Sequence, residues 1–205
     1  MGKFEAKKPE DKKEEQYTPQ QSMLMYIHDL IYFLAVIIIV LLLFLRVVIV
    51  SGSSMYDTLI DGDYLLLISN TFYHEPKAGD IVVISKESFD NGEPIVKRVI
   101  ATEGQTVDID FEAGVVYVDG VALDEPYTNT PTNTNGGMEF PLTVEEGCIF
   151  VMGDNRNKSR DSRYPELGLV DTREVLGKAV LIMFPGDPDD DGPLKRDFGR
   201  IGGIS

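Results

Sequence analysis

Between Leu30 and Leu45 the chain carries no charged residue, and with Arg46 as the one exception the apolar run continues to Val50. Twenty-one helical residues rise about 31 Å, which matches the hydrocarbon thickness of a bilayer. Arg46 lies a turn from the end, where its aliphatic stem stays in lipid while the guanidinium reaches the headgroups. A cleavable leader would have a shorter apolar core, and a buried helix of a soluble domain is disfavoured because the stretch has no polar face. The stretch 23–50 therefore reads as a transmembrane anchor. Residues 1–22 hold Lys3, Lys7, Lys8, Lys12 and Lys13 against five acids. That segment is too polar to bury anything and reads as a disordered tail. Between Val47 and Lys77 there is neither Lys nor Arg. The excess of lysine before the span places the tail in the cytoplasm and residues 51–205 outside, a single-pass arrangement in the plasma membrane.

Composition narrows the chemistry. The 205 residues carry 34 Asp and Glu against 19 Lys and Arg, a net charge of −15. So acidic a surface repels phosphate backbones and disfavours nucleic acid as a partner. The lone cysteine, Cys148, excludes an intramolecular disulfide and argues against a thiolate metal site. Two histidines, His28 and His74, leave little for a metal cage, so neither metal nor cofactor is expected.

After Val50 the pattern changes to short apolar runs separated by turn signals. Tyr64–Ile68, Asp80–Ile84, Ile95–Ile100, Val115–Val118, Cys148–Met152 and Lys178–Phe184 each read as a strand. Asp119-Gly120 between Val115–Val118 and Val121–Leu123 predicts a hairpin. Thr128–Gly137 reads as a surface loop, and no amphipathic helix of useful length precedes Arg173. The expected fold is mostly β: an antiparallel β domain over 51–205 behind one N-terminal transmembrane helix, with 106–149 as a possible inserted subdomain.

Three segments carry reactive groups, and each has an ordinary reading beside the chemical one. Ser51-Gly52-Ser53-Ser54-Met55 is either a flexible linker or a nucleophile with a peptide NH beside it. In Pro94–Ile100, Lys97 shares a strand face with Ile95 and Val99. It lies either on a solvated edge or in a dry site that lowers its pKa into the range of a general base. Gly153–Arg163 is either a solvated polar loop or a shell that holds other residues in place.

Together, in this order and behind a membrane span, the segments resemble bacterial type I signal peptidases, serine peptidases of family S26 that use a Ser–Lys dyad. The family's Ser-Met-x-Pro-Thr-Leu is matched by Ser54-Met55-Tyr56-Asp57-Thr58-Leu59, and Gly-Asp-Ile-Val-Val by Gly79–Val83. Lys-Arg-Val followed by a glycine is matched by Lys97-Arg98-Val99 and Gly104. Gly-Asp-Asn-Arg…Ser-x-Asp-Ser-Arg is matched by Gly153–Arg156 and Ser159–Arg163. The resemblance runs from the anchor to about Phe184, and four boxes in order are far more specific than any one.

The resemblance implies a membrane-bound endopeptidase that removes signal peptides from secretory preproteins, with Ser54 as nucleophile and Lys97 as general base. It implies that Ser159 orients the Lys97 amine, and that Asp154, Asp161, Arg98 and Arg163 form supporting ion pairs. It also implies an oxyanion hole built from the peptide NH of Ser54. The family's second donor is a hydroxyl two positions earlier in some members; that position is Gly52 here, so only a backbone group is available. The residues themselves point the same way, because His74 lies in a turn-like Phe72–Pro76 and a Ser–Lys arrangement is favoured over Ser–His. With Val50 taken as the end of the span, Ser54 lies within roughly 14 Å of it. That places it where the cleavage region of a signal peptide emerges from lipid. Small substrate side chains are expected in shallow apolar pockets lined by Met55, Ile81, Val83, Ile95 and Val99.

Asp57 departs from the family proline, cannot fix φ as proline does, and adds a negative charge that would raise the Lys97 pKa if unpaired. Gln105, where an Asp is common, is a milder change. Asp57 is also the one feature that would support an inactive relative acting as an extracytoplasmic binding module. Asp187–Gly192 has the start of a calcium loop but lacks its closing acid, and reads as a solvated acidic turn. Asn157-Lys158-Ser159 is a formal glycosylation sequon within the catalytic loop and is discounted.

Overall fold

The computed structural model describes residues 18–187 and 195–204. Helix α1 spans Pro19–Phe44, and none of its residues is buried within the protein. At 26 residues it rises about 39 Å and is long and apolar enough to cross a membrane. Its bounds differ from the expected anchor at both ends. Residues 19–22, assigned to the tail, are helical, while residues 1–17 lie outside the described residues. At the other end the apolar run divides, and Leu45–Ile49 is a strand, β1, rather than the last turns of the helix. Apart from Arg46 the apolar run continues across the junction, but Val47, Val48 and Ile49 are β-branched and find a partner strand to pair with. Ten residues, not four, therefore separate the helix end from Ser54, a reach of up to about 36 Å, and the short tether inferred from sequence is lost.

The remaining strands are β2 (Tyr64–Ser69), β3 (Ile81–Ile84), β4 (Ile95–Thr102), β5 (Thr106–Asp110), β6 (Val115–Val118) and β7 (Val121–Ala122), then β8 (Leu142–Thr143), β9 (Cys148–Met152), β10 (Val170–Asp171), β11 (Val175–Phe184) and β12 (Gly202–Gly203). The main sheet runs β1-β2-β11-β3-β4-β9-β10, with β12 added to β11, and every pairing is antiparallel. The second sheet, β7-β6-β5-β8, lies within the segment read as a possible insertion. Its Val107, Ile109, Val116 and Val118 pack in one core with Ile100, Ala101, Phe150 and Met152 of β4 and β9. The small sheet is thus seated on the main one through a shared core.

Strand β4 occupies the centre of the main sheet, between β3 and β9. Its run from Val96 to Ala101 is buried on both faces. That explains its near-continuous apolar character, and it makes Lys97 and Arg98 the exceptions to be accounted for. One cluster, which includes Met55, Leu59, Leu65, Ile81, Val83 and Val96, lies beneath the turn that carries Ser54. A second, which includes Val82, Ile84, Phe89, Val99 and Val151, packs around the other side of the same strands.

Candidate active site

Ser54 lies in a succession of tight turns between β1 and β2. Tyr56 N–H donates to the Ser53 carbonyl at 3.2 Å and Leu59 N–H to the Met55 carbonyl at 2.8 Å. Met55 and Leu59 are buried and pin the turn to the core. Asp63 closes its base. The buried carboxylate accepts from Ile60 N–H at 2.9 Å and Gly186 N–H at 2.7 Å, and receives two bonds from the Arg200 guanidinium. The peptide bond preceding Asp57 is cis. The Asp57 carboxylate accepts from Asn129 Nδ2 at 2.6 Å and is not among the acids that act on Lys97. The condition for the expected charge effect, a carboxylate without a partner, is therefore not met.

Lys97 is 4% exposed. The desolvated reading of this residue holds, because β4 is a central strand with no solvated edge. Its Nζ lies 2.8 Å from Ser54 Oγ and 3.0 Å from the Val96 carbonyl. Burial lowers its pKa from 10.5 to about 8, against the opposing pull of Asp161, Asp90 and Asp154. When the amine is charged it donates to the hydroxyl; once neutral, its lone pair accepts the Ser54 proton along the same line.

The expected bond from Ser159 to the Lys97 amine is not made. Ser159 is buried and its Oγ has no partner among the described residues. It instead packs against Gly153, where a Cβ would lie 2.3 Å from Ser159 Oγ and 2.4 Å from the Ser54 carbonyl oxygen. Glycine at 153 therefore lets the loop approach the nucleophile's own backbone. Asn155 then grips that backbone twice, its N–H bonding the Ser54 carbonyl at 3.0 Å and its Nδ2 the Ser53 carbonyl at 3.0 Å.

The four other expected supporting residues form two buried ion pairs. Arg98 Nε and Nη2 each donate to Asp154 at 2.8 Å, and Arg98 Nη1 donates to the Gly79 carbonyl. Thr58 Oγ1 donates to the same Asp154, which links the serine turn to the pair. Arg163 donates to Asp161 through Nε at 2.8 Å and Nη2 at 2.9 Å. Asp161 also accepts from Gly153 N–H at 3.0 Å. Planar two-bond geometry of this kind is the arrangement that best offsets the desolvation of buried ions.

A cleft of about 240 Å³ opens over Ser54 and Lys97, with Val50–Met55 along one wall, Pro94–Val96 along the other, and Asp90, Lys158 and Arg160 at its rim. Of the expected pocket residues, Met55 and Ile95 line it. Ile81, Val83 and Val99 do not: all three are buried in the core beneath. Alternation on β3 and β4 suggested one open face, but both faces are covered. Val50, Val96 and Phe89 supply apolar lining in their place. Gly52 N–H donates to Asp61 at 2.6 Å and is engaged. The N–H groups of Ser53 and Ser54 make no bond among the described residues and face no competitor for a developing oxyanion.

Residues 23–184 match the family described as signal peptidase, peptidase S26. The chain belongs to that family. It is 37% identical over 144 residues to the probable signal peptidase I-1 of Synechocystis sp., a match covering 66% of this chain and 69% of that protein. It is 37% identical over 145 residues to signal peptidase I T of Bacillus subtilis, covering 67% and 72%. A signal peptidase I structure from Enterococcus faecalis V583 is 36% identical, covers 51% of this chain and 96% of that one, and has a TM-score of 0.41. This S26 member is a serine peptidase with a mostly antiparallel β fold.

Several residues now seen at the site had no expected role. Asn155 and Arg156 stood inside a recognised box and could have been marked. Glu125, Tyr127, Asp63 and Arg200 lay in turns, and only their contacts single them out. Among the described residues no cluster of His, Cys, Asp and Glu is arranged to hold a metal ion. Residues 188–194, which include most of the calcium-loop pattern, lie outside the described residues.

Proposed function

We propose that this peptidase cleaves N-terminal signal peptides from exported preproteins through Ser54 and Lys97. The single observation that supports it is the 2.8 Å approach of a buried lysine amine to a serine hydroxyl at the floor of an open cleft. Neutral Lys97 takes the Ser54 proton as Oγ attacks the scissile carbonyl carbon. The oxyanion that forms is met by backbone N–H groups of the Ser53–Ser54 segment. As the C–N bond breaks, the lysine returns its proton to the leaving amine, which departs as the new N-terminus. A water then loses its proton to Lys97 and attacks the Ser54 ester, releasing the signal peptide and restoring the hydroxyl. Asp154, Asp161, Arg98 and Arg163 support the loop, and Ser159 fills the space against Gly153.

An extended substrate suits the cleft, whose walls are the chain leading out of β1 and the start of β4. Residues 42–205 also expose Val47, Ile49, Tyr64, Met183, Phe184 and Phe198. Tyr64, Phe184 and Phe198 form a run of edge-to-face ring contacts. An apolar surface of this kind suits contact with lipid. With the lysine-rich tail in the cytoplasm, the catalytic β domain lies on the outer face of the plasma membrane. The inactive alternative gains nothing, since the Asp57 carboxylate is held by Asn129 and is not among the groups that raise the Lys97 pKa.

The test uses the full chain in detergent micelles with a synthetic preprotein carrying an Ala-x-Ala cleavage site. Ser54→Ala and Lys97→Ala are each expected to abolish processing; equal processing by all three proteins would remove the dyad.

A further inference from the structure

Arg156 is fully buried, and its guanidinium does not pair with a neighbour in the catalytic loop. Its Nη1 and Nη2 donate to Glu125 Oε2 and Oε1 at 2.7 and 2.6 Å. Nη1 also reaches Thr132 Oγ1 at 3.0 Å, and Nε the Gly153 carbonyl at 3.2 Å. Glu125, with a side chain only 11% exposed, comes from the strap that follows β7. Two residues on, Tyr127 donates from its hydroxyl to Glu125 Oε1 at 3.1 Å. Its ring lies beneath the Arg98 guanidinium, 3.9 Å from Cζ to the ring centre.

We infer that Glu125, braced by Tyr127, is a positioning residue that fixes the geometry of the Ser54–Lys97 pair from the far side of the catalytic loop. The inference rests on the dyad reading above. Two chains of contact lead from the strap to the reacting atoms. Arg156 follows Asn155, the residue that grips the Ser53 and Ser54 carbonyls. Arg98 follows Lys97 on β4 and holds Asp154, which is bonded to Thr58 in the serine turn. The strap therefore touches one arginine beside the base and one beside the clamp on the nucleophile. A buried guanidinium stripped of its carboxylate has no compensation and must move toward water. Arg156 would draw the Gly153 carbonyl and Asn155 with it. Ser54 then loses its backbone clamp, and water gains access to the Lys97 amine.

The experiment compares wild type with Glu125→Gln, Glu125→Asp, Tyr127→Phe and the exposed-site control Glu112→Gln. All are full-length proteins in detergent, acting on the same Ala-x-Ala preprotein, and kcat is normalised to the folded fraction from near-ultraviolet circular dichroism. Glu125→Gln is expected to lower kcat by between about ten- and a hundredfold with KM little changed, as expected for a small displacement of reacting groups. The rising limb of its pH profile, which follows loss of the Lys97 proton, is expected to move to higher pH as the lysine rehydrates. Glu125→Asp, which keeps the charge, should recover part of the loss. Tyr127→Phe, which keeps the ring and removes one hydrogen bond, should show a smaller drop of the same kind should the glutamate variants fail to fold. Unchanged kcat per folded molecule, or a pH profile that falls in amplitude without moving, would overturn the inference. Ser54→Ala, run beside these, separates that result from failure of the dyad, which would show as residual processing by the serine variant.

Discussion

Replacing Lys97 by methionine should destroy activity and stabilise the fold, with a gain that depends on pH. The displacement of the lysine pKa from 10.5 to about 8 corresponds to roughly 3 kcal/mol of unfavourable free energy in holding the charged form in the folded state. The group is only 4% exposed, so little solvent screening reduces that figure. Methionine fills a similar volume without charge, and loses two hydrogen bonds worth about 1 kcal/mol each. A net stabilisation of about 1–2 kcal/mol is expected at pH 7. Its sign follows from proton counts. Between about pH 8 and 10.5 the unfolded chain keeps a lysine proton that the folded protein has released, so wild-type stability rises with pH across that window. The advantage of Lys97→Met should therefore shrink by roughly 3 kcal/mol between pH 7 and pH 11. Denaturant unfolding of both proteins in the same detergent at several pH values measures it. A stability difference that is flat with pH, or that grows as pH rises, would refute the claim that burial lowers the basicity of this amine.

Asp90 raises the Lys97 pKa, so Asp90→Asn should shift the rising limb of kcat/KM to lower pH, and a limb that moves upward would contradict that sign. Gly153→Ala would place a Cβ 2.4 Å from the Ser54 carbonyl oxygen, and a loss of about a hundredfold in kcat is expected; near-normal turnover in a steady-state assay would show that the loop is not held so closely. Asp161→Asn leaves the buried Arg163 without its carboxylate and should cost about 3–5 kcal/mol in stability, whereas a thermal midpoint close to that of wild type would mean that the pair contributes little.

Much of the β domain was legible because its strands are short apolar runs between turn residues, and β2, β3, β4, β6 and β9 fall where those runs lie. Strand β1 was hidden because its residues, Arg46 apart, continue the apolar run of the helix. Strand β5, Thr-Val-Asp-Ile-Asp, alternates cleanly but is missing from the expected strands, because its two acids leave no apolar run. Of the candidate site, Ser54, Lys97 and the two ion pairs were legible from the boxes that carry them. The lining of the cleft was not. Both faces of β3 and β4 are covered, one of them by the turn that carries Ser54, and periodicity along one strand carries no record of what covers it. The Glu125 carboxylate was hidden for the same reason, since its partner Arg156 lies 31 residues away in sequence.

The lysine belongs to a strand hydrogen-bonded on both flanks, whereas the serine belongs to an irregular crossing between a sheet-edge strand and its neighbour. On the dyad reading, proton acceptance thereby falls to a central strand of the sheet, and the acyl group to a turn held by packing and loop contacts rather than by strand pairing. Accommodation of one cleavage sequence or another must come from the serine side. Compounds that capture the hydroxyl should accordingly tolerate varied shapes, while those that demand movement of the amine should fail.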